Sequence, residues 1–181
     1  MVQTQKAQGS LAQKTTDLLL RGFIIFALAM PLGMRLWFMG MIMRRLISPL
    51  AGYKSRAIAN LDYIYPNLNF FKKHQIADAV ADNAGRTFIE NYDVLGLKAR
   101  MRDTKIHGAG FEAIKQAQAS GQPVIFVTGH FGNFEAPRAA LVAQGFEVGG
   151  LYRPMSNPYF NAHYAENMHS LSGPVFEQGR R

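Results

Sequence analysis

The chain contains no cysteine among its 181 residues. Disulfide bonds, thiolate metal ligands and a cysteine nucleophile are therefore excluded. Acidic residues are also scarce, with 12 Asp and Glu against 20 Lys and Arg, which gives a formal net charge of +8. The length suits one domain, and the hydrophobic fraction of 48% is ample for a folded core.

Several motifs that bind nucleotides or activate serine are absent as well. The sequence has neither the G-x-G-x-x-G dinucleotide fingerprint nor the G-x-x-x-x-G-K-[ST] phosphate loop. It also lacks the G-x-S-x-G nucleophile elbow. His130 and Glu135 do not have the H-E-x-x-H spacing, and no cysteine or second nearby histidine accompanies them. We therefore predict no cofactor and no metal ligand set.

The basic charge is concentrated near the N-terminus. Residues 1–60 carry eight Lys and Arg against Asp17 alone, a net +7, so residues 61–181 contribute only +1. Basic charge around an apolar segment is typical of contact with an anionic membrane surface. A nucleic-acid-binding protein would be expected to carry its charge on the folded domain. We predict a membrane surface and no nucleic acid as a partner, with a soluble basic tail as the alternative.

An apolar segment over residues 22–43 is interrupted by a single charged residue, Arg35. As one helix it would be about 33 Å long, enough to cross a bilayer core of roughly 30 Å. Against a plain span, Arg35 lies near its middle and Pro31 should kink the helix. We therefore predict that residues 1–50 form a membrane-embedded anchor, steeply tilted or lying partly in the interface, with Trp37 at the headgroup boundary.

The remaining residues, 51–181, have the pattern of an α/β domain. A strand, a crossover helix and a second strand imply a parallel pair, and ligands bind beyond the carboxyl ends of such strands. His130 and Arg153 both lie at predicted strand ends. Periodicity and turn residues predict helices over residues 53–65, 72–95, 110–119 and 134–144, and strands over residues 124–128 and 146–152.

The segment VIFVTGHFGNFE, residues 124–135, places a histidine and a carboxylate together. A five-residue step puts His130 and Glu135 on different faces of an ideal helix, so they meet only across a turn. Gly132 permits left-handed backbone there, and Asn133 can cap a helix. We therefore expect Glu135 to lie near a helix start and to reach back to His130.

The string GHFGNFE, followed by YRP at residues 152–154 and NP at residues 157–158, resembles the late acyltransferases of lipid A assembly, the lauroyl/myristoyl group. The resemblance covers nearly everything after about residue 20. It implies a glycerolipid-acyltransferase-like α/β domain at the cytoplasmic face of the inner membrane. It also implies an acyl-carrier-protein thioester as donor and a hydroxyl of a lipid A precursor as acceptor. Because members of the family continue past a point equivalent to Arg181, we expect the domain to be incomplete at its C-terminus.

The chemistry and the resemblance together give roles to individual residues. An acceptor hydroxyl needs a positioned base, so His130 would take its proton while Glu135 orients the imidazole. A guanidinium suits phosphate, so Arg153 would bind the anionic headgroup or the donor's phosphopantetheine, with help from residues such as Arg180 and Arg181. The predicted substrate contacts are Arg153, Asn133, Gly132 and Asn157.

Two further functions remain open from the sequence. The same His and Glu chemistry suits an acyltransferase that acts on another glycolipid or on a phospholipid. The abrupt end at Arg181 also allows an inactive, membrane-bound fragment.

Overall fold

The computed structural model describes residues 9–179. Residues 1–8 of the predicted anchor lie outside this range, as do Arg180 and Arg181. The chain divides into two compact units, one that holds residues 9–21 and 93–179 of the described chain and one that holds residues 22–92. The described residues are mostly helical and contain a small parallel sheet of two strands, consistent with the expected α/β class.

The helices and strands have the following bounds. Helices are α1 (Leu11–Leu28), α2 (Leu32–Ile42), a π-helical turn (Met43–Ile47), α3 (Ser48–Leu50), α4 (Tyr53–Ile64), α5 (Phe70–Tyr92), α6 (Val94–Met101), α7 (Phe111–Ala119), α8 (Ala136–Ala143) and α9 (Pro158–Leu171), and strands are β1 (Gly150–Tyr152) and β2 (Val175–Glu177).

The apolar segment over residues 22–43 does not form one helix. It is divided between the end of α1 and the whole of α2, with a break before Pro31. Proline has no backbone N–H to continue a helical ladder, so here it starts a new helix instead of kinking one. Across the break, the ring centroid of Phe38 lies 6.0 Å from that of Phe23 and 6.2 Å from that of Phe26. Within residues 9–179, no helix is both long and apolar enough to cross a bilayer.

Arg35 is buried at this break, whereas Trp37 is exposed. The Nη1 atom of Arg35 donates a hydrogen bond to the carbonyl oxygen of Leu28 at 3.3 Å. This carbonyl belongs to the last turn of α1, where a helix leaves its acceptors unpaired and a positive charge is favourable. Arg35 therefore stabilises the end of α1.

Two glycines let α2 approach α5 closely. A Cβ atom added at Gly85 would overlap the Met39 carbonyl oxygen, and one added at Gly40 would lie 2.9 Å from Asp82 Cγ. Gly85 weakens the helical pattern of the sequence, yet α5 runs through it without a break. Its small size is therefore a packing feature of this helix pair.

The predicted helix over residues 72–95 is two helices in the structure. α5 ends at Tyr92, and α6 starts at Val94. Asp93 separates them because its Oδ1 atom accepts a hydrogen bond from the Gly96 N–H at 3.2 Å, which caps α6. Its Oδ2 atom also pairs with Arg100 Nη1 at 3.0 Å.

In the other unit, three helices share a small apolar core. Leu97 of α6, Ala139 of α8 and Leu171 of α9 are buried in contact with one another. The sheet follows, with Gly150 opposite Val175 in parallel register and α9 as the crossover between the strands.

The predicted strand over residues 124–128 is wrong. These residues form neither helix nor strand, and Ile125 and Val127 are 90% and 95% exposed. A strand needs a neighbour to complete its hydrogen bonds, and within residues 9–179 the strands β1 and β2 pair only with each other. The predicted strand over residues 146–152 is shorter in the structure and covers only Gly150–Tyr152. It forms a parallel pair as expected, but with β2 instead of residues 124–128.

The remaining helix predictions are confirmed to within two residues. The prediction over residues 53–65 corresponds to α4, that over 110–119 to α7 and that over 134–144 to α8.

Candidate active site

His130 lies on an exposed turn. All side chains of residues 121–132 are exposed. The chain turns as the Phe131 N–H donates to the Gly129 carbonyl oxygen at 3.1 Å, and Gly132 then adopts a φ of 53°, in the left-handed region that favours glycine. The imidazole lies against Phe134, with ring centroids 4.7 Å apart. His130 therefore does not follow a strand as predicted, although it is open to a substrate.

The turn leads directly into α8. Asn133 Oδ1 accepts a hydrogen bond from the Glu135 N–H at 3.1 Å, and the Asn133 carbonyl oxygen accepts from the Ala136 N–H at 3.1 Å. Pro137 then occupies the first turn of the helix, where its missing N–H costs nothing. Asn133 thus stabilises the approach to the helix and fixes the backbone of Glu135.

Glu135 is held by an arginine that the sequence analysis did not select. Its Oε2 atom accepts a hydrogen bond from Arg138 Nη1 at 3.1 Å. The two side chains are only 12% and 9% exposed, so their charges neutralise each other in a largely desolvated setting. Within residues 9–179, no hydrogen bond or ion pair joins Glu135 to His130.

Arg138 is itself fixed by three backbone carbonyl oxygens. Its Nε atom donates to Val148 at 3.0 Å, and its Nη2 atom donates to Met168 at 3.3 Å and to Ser172 at 2.5 Å. These acceptors come from the loop before β1, the end of α9 and the segment after α9. A planar guanidinium with five donors is suited to such a site. Arg138 therefore ties α8 to its surroundings and holds one oxygen of Glu135 in place.

The pKa of Tyr164 in α9 is affected by burial and by the charges of Glu135 and Arg138. Burial raises the pKa of its hydroxyl above the usual value, the negative charge of Glu135 raises it further, and Arg138 opposes this effect. Its ring centroid lies 5.8 Å from that of Tyr152. Tyr164 therefore stays neutral well into the alkaline range beside the Glu135–Arg138 pair.

A second polar cluster lies at the sheet. The Tyr152 hydroxyl donates to Glu177 Oε1 at 2.8 Å, and Asn161 Nδ2 donates to the same oxygen at 3.1 Å. These bonds connect β1, α9 and β2, so they fix the strand that ends immediately before Arg153.

Arg153 and Asn157 have different surroundings. Arg153 is exposed directly after β1, as predicted for a strand end, and within residues 9–179 no hydrogen bond or ion pair involves its side chain. Asn157 caps α9, since its Oδ1 atom accepts from the Tyr159 and Phe160 N–H groups at 3.0 and 3.3 Å. Its Nδ2 atom donates to the Gln13 carbonyl oxygen at 2.8 Å. Asn157 therefore has a structural role here, and its contact with substrate stays a prediction.

A signal for Arg138 was present in the sequence. Glu135 and Arg138 are three residues apart at a helix start, a spacing that brings side chains together. The helix APRAALVA is otherwise small and apolar, so a charged residue on its buried side needs a partner.

The region before and at the start of α8 thus has an exposed imidazole at His130 and a largely buried carboxylate at Glu135. Residues 4–178 match the family described as Bacterial lipid A biosynthesis acyltransferase, which covers nearly the whole chain. The chain belongs to this family and is thus an acyltransferase of lipid A and lipopolysaccharide biosynthesis. No curated protein and no solved structure matches the chain.

Proposed function

We propose that this protein transfers a fatty acyl chain from an acyl-carrier-protein thioester to a hydroxyl group of a lipid A precursor. The proposal depends on one observation above all. In a chain of this acyltransferase family, an exposed imidazole, His130, lies five residues before a carboxylate at the start of α8 that Arg138 holds in place.

His130 acts as the general base in the proposed reaction. The acceptor hydroxyl attacks the thioester carbonyl carbon while the imidazole takes its proton. The new ester C–O bond forms, the C–S bond breaks, and the imidazolium returns the proton to the departing thiolate. No serine or cysteine nucleophile and no covalent enzyme intermediate is needed.

Glu135 positions the imidazole in this scheme. Arg138 occupies Oε2, whereas within residues 9–179 Oε1 accepts no hydrogen bond. In the proposed active arrangement, the imidazole of His130 leaves Phe134 and donates a hydrogen bond to Oε1. Catalytic hydrogen bonds are often long or absent until substrate binds, so this rearrangement would accompany binding. Glu135 would then stabilise the imidazolium.

Arg153 is proposed to bind an anionic group of the substrates. Its guanidinium suits the sugar phosphates of the acceptor or the phosphopantetheine of the donor. Gly132, Asn133 and Asn157 are proposed to shape the same site. The family description supports a lipid A acceptor, and the net +8 charge favours the acidic carrier protein and an anionic membrane surface.

We further propose that residues 1–50 attach the protein to the cytoplasmic face of the inner membrane. The exposed Trp37 and the basic residues Arg44 and Arg45 suit a headgroup boundary. Residues 51–181 carry the transferase chemistry, on a domain of glycerolipid-acyltransferase type.

The test is a reconstituted reaction with acyl carrier protein charged with a fatty acid, a lipid A precursor in detergent, and product detection by mass spectrometry. His130→Ala should lower the rate about 10²–10⁴-fold, the usual effect of losing a general base. His107→Ala is the matched control, because His107 is exposed on a loop outside the site and should leave the rate unchanged. Full activity of a folded His130→Ala protein would disprove the base assignment. If the acyl chain appeared on another glycolipid or on a phospholipid, that lipid would be the acceptor instead of a lipid A precursor. An inactive wild-type chain would favour the alternative of a non-catalytic, membrane-bound fragment.

A further inference from the structure

The connection between α4 and α5 exposes an unusual number of large apolar side chains. We refer to residues 63–71, with the sequence YIYPNLNFF, as the aromatic loop. Tyr63 is 90% exposed and Phe71 79% exposed. An exposed apolar cluster of this kind marks an interaction surface. The exposed large side chains of the loop are Tyr63, Ile64, Tyr65, Phe70 and Phe71.

Hydrogen bonds fix the loop in this conformation. The buried Lys73 donates from Nζ to Asp62 Oδ1 at 2.6 Å and to the Pro66 carbonyl oxygen at 3.2 Å. The Asn69 Oδ1 atom accepts from the Phe71 N–H at 2.7 Å and caps α5. Because both ends of the loop are tied by specific contacts, the outward direction of its aromatic rings is built into the fold.

The charges around the loop are predominantly positive. Residues 53–75 contain four Lys and Arg, and Asp62 is the single acidic residue among them. Lys73 is paired with Asp62 and Lys54 with Asp78, whereas Lys72 and Arg56 are exposed. The surface beside the aromatic loop is therefore complementary to an anionic partner.

We propose that the aromatic loop inserts into the interface of an anionic lipid bilayer. Tyrosine has an apolar ring and a polar hydroxyl, and such side chains are favoured at the level of lipid headgroups. Lys72, which directly follows Phe71, would contact anionic headgroups while the rings enter the acyl boundary. This contact rests on the proposed membrane location, and it would extend the surface of the N-terminal anchor, because Phe71 lines the same pocket as Trp37 and Arg44.

The absence of cysteine makes a site-specific test possible. Three single-cysteine variants of the full chain, Tyr63→Cys, Leu95→Cys and Ile25→Cys, each receive a polarity-sensitive fluorophore. Tyr63 tests the loop, the exposed Leu95 of α6 is the matched control, and the exposed Ile25 reports the apolar segment of α1. Each protein is mixed with vesicles of phosphatidylglycerol and phosphatidylcholine, with and without a lipid-borne quencher.

The expected result is a blue shift and quenching at position 63 and no change at position 95. A response at position 25 with a silent position 63 would overturn the loop proposal and leave the anchor intact. Silence at both positions would overturn both. A blue shift at position 63 that depends on protein concentration without vesicles would show a contact between copies of the chain, and so would also overturn the lipid assignment.

A second measurement avoids labels. Tyr63→Ser combined with Phe71→Ser should weaken partition onto the same vesicles by roughly tenfold, as expected from the loss of two partly inserted rings. Leu95→Ser combined with Leu151→Ser removes exposed apolar area elsewhere and should not change partition. Thermal melts check that all variants fold. Equal partition of both double variants would contradict the proposal.

Discussion

The Oε2 atom of Glu135 accepts a hydrogen bond from Arg138 Nη1 at 3.1 Å. The carboxylate that was predicted to orient His130 is therefore paired with an arginine one helical turn further along the chain. Arg138 also donates to three carbonyl oxygens, so its removal leaves several buried groups unpaired at once. We expect Arg138→Ala to lower the free energy of unfolding by about 3–5 kcal/mol, as found when one partner of a buried ion pair is removed.

Chemical denaturation of the purified protein measures this effect. Arg138→Lys should recover only part of the lost stability. The planar guanidinium has five donors that reach separate acceptors at once, whereas an ammonium group is a compact point charge that cannot bridge them all. Arg153→Ala is the control, since Arg153 is exposed and should leave stability unchanged. Equal stability of the Arg138→Ala and Arg153→Ala proteins would refute the structural role of Arg138.

The raised pKa of Tyr164 should respond to Glu135. Removing the negative charge in Glu135→Gln makes the tyrosinate less unfavourable, so the pKa of Tyr164 should fall toward its ordinary value while the contribution of burial remains. Chemical shifts of the Tyr164 ring carbons, followed by NMR over an alkaline titration, measure the change. Because burial is the larger cause, a complete return to the ordinary value would contradict the assignment.

The same pKa sets a pH dependence of stability. The folded protein retains the Tyr164 proton at pH values where the unfolded chain has begun to lose it. Stability should therefore fall as the pH rises above about 10, the ordinary tyrosine value. Tyr164→Phe should remove this part of the slope. Denaturation midpoints of both proteins between neutral and alkaline pH test it, and identical slopes would mean that Tyr164 makes no contribution.

Replacing glycine with alanine should have opposite effects on stability at Gly85 and Gly22, because only Gly85 lies where α2 and α5 approach closely. Gly85→Ala places a methyl group against the Met39 carbonyl, and overpacking of this kind costs about 1–3 kcal/mol. Gly22→Ala lies inside α1 with nothing within 4 Å of the added Cβ, so the gain in helix propensity of about 0.5–1 kcal/mol should prevail. Thermal melts of the two variants distinguish them. A stabilised Gly85→Ala protein would show that the helices separate at little cost.

The single tryptophan provides an intrinsic test of the proposed anchor. Trp37 is 59% exposed in α2, so its emission should be that of a solvated indole in buffer and should move to shorter wavelength on anionic vesicles. High salt should reverse part of the shift, because screening weakens the basic contacts. If the protein sediments with vesicles while Trp37 emission stays unchanged, α2 does not enter the lipid.

Arg153 should affect substrate use without affecting the fold. Arg153→Ala removes a charged hydrogen-bond donor to the proposed anionic group, which predicts a loss of about tenfold to hundredfold in kcat/KM. Arg153→Lys should restore part of the activity, since the charge remains but the planar fork is lost. Arg102→Ala is the control for loss of an exposed arginine. Unchanged kinetics for Arg153→Ala would exclude this contact.

Local features of the fold could be predicted from the sequence. The end of α7 follows from Ser120 and Gly121, and Gly121 has the positive φ of 68° that a helix stop favours. The missing N–H of Pro31 predicts an interruption of the helix there, and the structure has a complete break between α1 and α2 at this place. These features depend on a few neighbouring residues, which a sequence displays directly.

Features that depend on distant partners could not be predicted in the same way. The continuous apolar run of residues 124–128 is compatible with a strand, but a strand forms only beside a neighbour, and β1 pairs with β2 instead. Similarly, the expected bond between Glu135 and His130 ignored a competing donor. Arg138 prevails for Oε2 because its guanidinium is fixed by carbonyl groups that no local pattern reveals.

The acceptors of Arg138 lie 10, 30 and 34 residues further along the chain, at Val148, Met168 and Ser172. The orientation of Glu135 is therefore completed only when the end of α9 has docked, even though Glu135 and Arg138 are near neighbours in sequence. The order of the candidate site therefore depends on the docking of the end of α9, whose carbonyl groups fix the guanidinium that holds the carboxylate.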